Sequence, residues 1–210
     1  MTARRMAISG IVLAGGRSSR FGGTAANPGR GAKLAADLAG RTVLDRTIDV
    51  VAGMCSEVMV VGLASGDRAE VRYIPDRTPF KGPLAGLRLG LEAARHEVAI
   101  VVGGDMPLLP AGVLQLLVTE LAGPATATVL DDGEARPLPM ALRRRPASEA
   151  ASGATDAGER SLRALLVRLA TRPVPASAWR ELDPQGDALL DIDTPADLER
   201  ARARLAVAGS

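Results

Sequence analysis

Short apolar runs alternate along this chain with stretches in which apolar residues recur every three or four positions. The runs ISGIVLA (8–14), EVMVVG (57–62), VRYI (71–74), VAIVVGG (98–104), ATATVL (125–130) and PLPMAL (137–142) are β-branched or apolar and bounded by Gly, Pro or Asp, which predicts strands. Between them Leu44, Thr47, Ile48 and Val51 fall at i, i+3, i+4 and i+7, and Leu162, Leu165, Leu166 and Leu169 repeat that spacing. Both sets read as the apolar face of an amphipathic helix. PAGVLQLLVTELAG (110–123) opens on Pro110 and closes on Gly123, punctuation for a third helix. Thr194, Pro195 and Asp197 form a capped first turn leading into ADLERARARLAV (196–207). Strands alternating with helices predict an α/β fold, a Rossmann-like, mostly parallel twisted sheet with helices on both faces.

Two stretches, 22–32 and 143–160, lack bulky apolar residues and are expected to be loops. The second does not divide the chain, because a helix, a weak strand and a final helix are too little for another core. A single domain over 1–210 is therefore expected. The proportions of hydrophobic residues (47%) and charged residues (24%) are those of an ordinary globular protein. No apolar run approaches the ~20 residues of a membrane helix, and MTARRMAISG lacks the apolar core of a signal peptide, so a cytoplasmic protein without membrane contact is expected. Cys55, the one cysteine, excludes an internal disulfide framework and a multi-cysteine metal site. Basic and acidic side chains number 26 and 24, and 2% of residues are aromatic. Neither a basic domain nor a stacking platform can be built from these, which argues against a nucleic-acid partner.

Ligands of open α/β sheets bind beyond the carboxyl ends of the strands. The first such end carries SGIVLAGGRSSRFGGTAANPGRGAK (9–33). Gly15 and Gly16 let the backbone approach phosphate oxygens, and Arg20 and Lys33 can add charge-assisted contacts. The spacing is neither Walker A nor G-x-G-x-x-G, so a solvated basic turn stays open. Asp105 follows the strand VAIVVGG, where a carboxylate suits Mg2+ or caps a turn. In PDRTPFKGPLAGLRLGLEAA (75–94), Gly82 and Pro83 open a helix whose first N–H groups either hold a polar ligand edge or serve ordinary turn chemistry. Asp191 and Asp193 stand two apart at the end of a short apolar strand, on one face, directed at a metal or at solvent.

In this order, LAGG-x3-R-x-G, a lysine, D…GPLAG, GGDMP and D-x-D-T-P-x-D-L, the motifs resemble nucleotidyltransferases of the molybdenum cofactor guanylyltransferase type over nearly the whole chain. LAGGRSSRFGG (13–23) matches the family's nucleotide loop and Lys33 its phosphate-binding lysine. Asp76 with GPLAG (82–86) matches the base and ribose side, and GGDMP (103–107) the metal aspartate. GERSLRALL (158–166) and DIDTPADLERA (191–201) look like its C-terminal half. The resemblance implies transfer of GMP from GTP to the terminal phosphate of (molybdenum-loaded) molybdopterin, with Mg2+ and release of pyrophosphate. It implies catalytic roles for Lys33, Arg20 and Asp105, and nucleotide contacts from Leu13, Ala14, Gly15, Gly16, Arg20, Lys33, Gly62, Asp76, Gly82, Pro83, Leu84, Gly104 and Asp105. The N–H groups of Ala14, Gly15 and Gly16 would hold the triphosphate, and Asp105 the metal, with Asp193 or Asp191 as second ligand. Transient contact with proteins that deliver or accept the cofactor is also implied.

Two departures stand out. TAANPGRGA (24–32) lengthens the loop before Lys33, so its equivalence rests on the following LAADLAGRTVLDR, with Arg30 as substitute. Gly62 stands where relatives often place an Asn that contacts the nucleotide. Cytidylyl transfer, another phosphorylated acceptor, or a catalytically silent nucleotide-binding regulatory module remain as alternatives. His96, the one histidine, reads as a surface turn residue, Cys55 as a small buried hydrophobe near a helix end, and Arg143–Arg145 as a solvated face that leaves an arginine open for the pterin phosphate.

Overall fold

A computed structural model describes residues 6–15, 33–76 and 82–208. Gly16, Arg20, Arg30 and the expected loop 22–32 lie outside the described residues. In chain order the elements are β1 (Met6–Leu13), β2 (Asp37–Leu38), β3 (Arg41–Thr42), α1 (Val43–Met54), β4 (Cys55–Val61), β5 (Val71–Ile74), α2 (Pro83–Ala93) and β6 (Val98–Gly103). There follow α3 (Ala111–Glu120), β7 (Ala127–Asp131), β8 (Ala135–Arg143), α4 (Arg144–Asp156), α5 (Leu162–Val167), β9 (Thr171–Pro175), α6 (Ala176–Trp179), a 3-10 turn (Asp187–Leu189) and α7 (Pro195–Ala208).

Among the described residues, seven strands form one sheet in the order β5-β4-β1-β6-β8-β7-β9. β1, β4, β5 and β6 run parallel, β8 runs antiparallel to both β6 and β7, and β9 is parallel to β7. Helices cover both faces, as crossover connections between parallel strands require. On one face Ile48, Val51, Leu114, Leu117 and Trp179 pack on Val12, Val60 and Val102. On the other Leu84, Leu87, Leu91, Ala151 and Leu165 pack on Ile11, Met59 and Val101. A third, smaller cluster joins Leu38 and Val43 to Ile192, Leu198 and Ala201, docking α7 beside the β2–β3 hairpin. None of the helices among the described residues is long and apolar enough to cross a membrane.

All the expected strands through β8 form. Several expectations for the second half need correction. The stretch 143–160 holds α4, a helix that buries Ala147, Ala151 and Ala154. Alanine has the highest intrinsic helix propensity, and its small side chain lets α4 pack closely against α2, so the helix needs no bulky apolar face. α5 ends at Val167, before Leu169, and α3 is shorter at both ends than its punctuation suggested. The supposed strand around Asp191 is instead the 3-10 turn followed by irregular chain. β9, TRPVP, carries two prolines and lies at the sheet edge, where a missing N–H is tolerated. Cys55 is buried at the start of β4.

Candidate functional site

The carboxyl ends of β1, β4 and β6 are level, because Leu13 pairs with Val61 on one side and Gly103 on the other. The ladder continues one step past each end. The Ala14 amide donates to the Val61 carbonyl (2.8 Å), Gly62 to Ile74 (2.9 Å) and Gly104 to Leu13 (2.9 Å). Ala14 was expected to offer its N–H to phosphate; that hydrogen is instead engaged with the Val61 carbonyl within the sheet. Gly15, the next residue, is exposed and has open space around it.

Gly62 has φ +109°, and a Cβ there would lie 2.7 Å from the Gly15 nitrogen. The strand end passes so close to the turn after β1 that no side chain fits. The absent Asn thus has a steric cause in this chain. Asp76 follows β5 at the same edge of the sheet.

Lys33 stands at the centre of this edge. Its Nζ donates to Asp105 Oδ2 at 2.6 Å and to Asp193 Oδ1 at 2.8 Å. The lysine side chain is 15% exposed, against 22% for Asp105 and 49% for Asp193. Burial alone would pull the ammonium pKa down; the charge and hydrogen bond of Asp105, with those of Asp193, outweigh it and hold the pKa above the ordinary lysine value. Its location does not depend on the lengthened loop alone. The Leu34 and Ala36 carbonyls accept the Leu44 and Val43 amides at 3.0 and 3.1 Å, satisfying free N–H groups at the start of α1 while pinning the chain just after Lys33.

Hydrogen bonds, burial and a glycine bring Asp105 and Asp193 together. The Ile192 amide donates to the Asp105 carbonyl at 2.9 Å, joining their two segments directly. Ile192 is buried in the cluster under α7. The Asp197 carboxylate accepts from the Asp193 and Thr194 amides at 3.1 and 2.7 Å and from the Thr194 hydroxyl, the capped turn expected from the sequence. A methyl group on Gly103 would lie 2.4 Å from Asp105 Oδ1, so glycine makes room for the carboxylate where it now sits.

Asp191 does not share in the lysine bridge. Desolvation, then the charges of Asp105 and Asp193, push its carboxyl up to about 7. The residue retains solvent contact, which moderates both the desolvation and the repulsion from the two neighbouring carboxylates. Among the described residues no three His, Cys, Asp or Glu side chains gather closely enough to hold one metal ion, which leaves Asp105 and Asp193 as a pair.

At the start of α2, Gly82 has φ +89° and a Cβ would lie 2.6 Å from the Arg160 carbonyl oxygen, which accepts the Leu84 amide at 3.2 Å. Pro83 has no N–H, so the helix start expected to hold a ligand edge through Leu84 is instead tied to the GERS segment. Beside it Pro83, Pro137, Arg160, Ser161, Leu162 and Arg163 line a cavity of about 380 Å³.

Arg143 pairs with Val98 at the amino end of β6, opposite the lysine bridge, and donates to the Ala125 and Leu121 carbonyls. Arg144 donates to the His96 carbonyl and Arg145 pairs with Glu149, so this cluster does not reach the site as the pterin-phosphate alternative required. His96 is half-buried in a bend, 2.8 Å from the Ser56 hydroxyl, at that same far end. Thr47, which by its period belongs to the apolar face of α1, donates its hydroxyl to the carbonyl of Gly104, the residue before Asp105, at 3.2 Å. A hydroxyl on an otherwise apolar stripe was the available signal.

The chain matches, over residues 10–173, the family described as the MobA-like NTP transferase domain. It is 32% identical to the probable molybdenum cofactor guanylyltransferase of Chloroflexus aggregans, covering 95% of this chain and 96% of that one. It is 29% identical to the molybdenum cofactor guanylyltransferase of Desulfosudis oleivorans, with coverage of 95% and 96%. In fold it is similar to the molybdopterin-guanine dinucleotide biosynthesis protein A of Archaeoglobus fulgidus, with TM-score 0.75, 23% identity and coverage of 95% and 99%.

Proposed function

Because this chain belongs to the MobA-like NTP transferase family and is a nucleotidyltransferase, we propose that it transfers GMP from GTP to the terminal phosphate of molybdopterin. The observation that carries the reading is the cluster of Lys33 with Asp105 and Asp193 at the carboxyl edge of the sheet. Two relatives named molybdenum cofactor guanylyltransferases, similar over nearly their full length, support the choice of donor and acceptor.

A phosphate oxygen of the acceptor attacks the α-phosphorus of GTP, a new P–O bond forms, and the bond to the bridging oxygen of pyrophosphate breaks with its electron pair. The attacking oxygen is already ionised, so no protein base is required. Catalysis here is alignment and neutralisation of charge. Lys33 is the cation of the site: its ammonium neutralises the Asp105 and Asp193 carboxylates, and in the reaction it would add positive charge for the phosphates. Gly15 lets that turn approach the triphosphate, and on sequence grounds Gly16, Arg20 and Asp76 complete the nucleotide contacts.

The donor set fits Mg2+, since two carboxylates already gathered round one cation offer oxygen ligands and leave the remaining positions to phosphate and water. Asp105 and Asp193 would hold it, with Asp191 alongside. When bound, Mg2+ supplies positive charge to the phosphate oxygens of the reaction.

Pyrophosphate release measured with Mg2+ and molybdopterin, comparing GTP, CTP and ATP, tests the proposal. Release with GTP that is lost in Asp105→Ala is expected. Release with CTP instead would replace the nucleotide in this reading, and release with none would overturn it.

A further inference from the structure

The Thr47 side chain is fully buried in α1, on the face that otherwise packs apolar residues against the sheet. Its Oγ1 lies 3.2 Å from two carbonyl oxygens, Val43 one turn back and Gly104 far along the chain. The Val43 carbonyl already has the helical N–H of Thr47 as donor. Gly104 is different. It is buried between β6 and the turn that follows, outside any regular element, and among the described residues the Thr47 hydroxyl is the donor that reaches its carbonyl.

That carbonyl belongs to the peptide group joining Gly104 to Asp105. Its orientation sets the direction in which Asp105 leaves the strand. The same short stretch is held at its other ends by the Gly104 amide on Leu13 and the Asp105 carbonyl on Ile192. α1 also holds the chain after Lys33 through Val43 and Leu44. One helix therefore anchors both members of the tightest contact in the site.

We infer that Thr47 is a positioning residue for Asp105: its hydroxyl fixes the Gly104–Asp105 peptide and so aims the carboxylate at Lys33 and at the cation site. This rests on the reading of Asp105 as a metal ligand. Removing the hydroxyl frees the peptide to rotate and blurs the carboxylate without touching nucleotide. Outer partners of this kind commonly change metal affinity by 10–100-fold.

The test compares wild type, Thr47→Val, Thr47→Ser and Asp105→Asn. Mn2+ binding is read by electron paramagnetic resonance with GTP present, together with the GTP KM. Thr47→Val should weaken Mn2+ binding about tenfold with the GTP KM unchanged, and Thr47→Ser should restore binding to within about twofold. Thr47→Ala, which removes the hydroxyl together with the γ-methyl and places no new apolar group against the Gly104 carbonyl, makes the same comparison if the valine variant does not fold. Valine binding Mn2+ like wild type, or serine failing as badly as valine, overturns the inference. If Asp105→Asn also leaves Mn2+ affinity unchanged, the metal reading fails and takes this inference with it. If Asp105→Asn abolishes binding while Thr47→Val does not change it, only the role of Thr47 fails.

Discussion

Lys33 occupies the position between two carboxylates that a divalent cation would take, so its removal should strengthen metal binding in the absence of nucleotide while impairing turnover. The perturbation is Lys33→Met, which keeps the side chain's length and removes its charge. In the wild type a metal ion must displace the ammonium from Asp105 at 2.6 Å and from Asp193 at 2.8 Å. Hydrogen bonds to charged groups contribute about 1.5–3 kcal/mol each. The Asp105 contact is largely sheltered and counts near the middle of that range, whereas Asp193 is half exposed and counts for well under 1 kcal/mol. Together they set a competition of about 2–3 kcal/mol, or roughly 30- to 150-fold in affinity. Mn2+ titration of nucleotide-free protein by electron paramagnetic resonance should therefore show the methionine variant binding tighter by about that factor. Pyrophosphate release at saturating Mg2+ and GTP should fall by about 10²–10³-fold, the usual consequence of removing a charge-stabilising group. Equal or weaker Mn2+ binding by Lys33→Met would refute the reasoning, because Lys33 would then not be competing for the two carboxylates.

The Asp191 carboxyl, held near 7 when folded against about 3.8 when unfolded, gives the chain a proton in the folded state that the unfolded chain has already released between those values. Its contribution to stability therefore falls as pH rises from about 4 to about 7. Asp191→Asn, unfolded by urea in the presence of chelator, should be more stable than wild type at pH 8 by no more than about 1–2 kcal/mol, after discounting for solvent contact, with the difference gone near pH 4; a difference independent of pH would exclude this cause. Gly62→Asn should destabilise the fold by about 2–4 kcal/mol in the same assay, since it combines an unfavourable φ with backbone contact at 2.7 Å. A neutral Gly62→Asn would mean that the turn after β1 moves aside freely.

Local pattern carried most of the first half of the fold. β1, β4 and β6 are largely buried strands rich in β-branched residues with Gly beyond them, β5 is a short edge strand followed by Pro75, and α1 has an apolar face, so period and punctuation agree. The second half was harder to read because its helices and strands depend on neighbours. α4 buries only alanines, a pattern indistinguishable from a polar loop until α2 is in place against it. β9 contains two prolines and is a strand only because β7 lies beside it. Around Asp191 and Asp193 alternation suggested a strand, yet the chain there follows a 3-10 turn and its course is set by Ile192, whose side chain packs under α7 and whose amide holds Asp105.

The sequence by itself determined the α/β class, the motif order, the location of Asp105 at a strand end and the candidacy of Lys33 and Asp193, because each depends on residue type, period or a contiguous motif. Only the tertiary structure decided which of these groups meet. Lys33 and Asp193 are 160 positions apart, and a contact over that distance exists only after the parallel sheet brings its carboxyl ends to one edge. The same closure engaged the Ala14 and Leu84 amides that looked free in the sequence, since hydrogen bonds between segments are formed by packing and not by local pattern. It also turned Thr47 from one more member of a helical face into the donor for the carbonyl before Asp105, a role that becomes defined when α1 lies against the turn after β6.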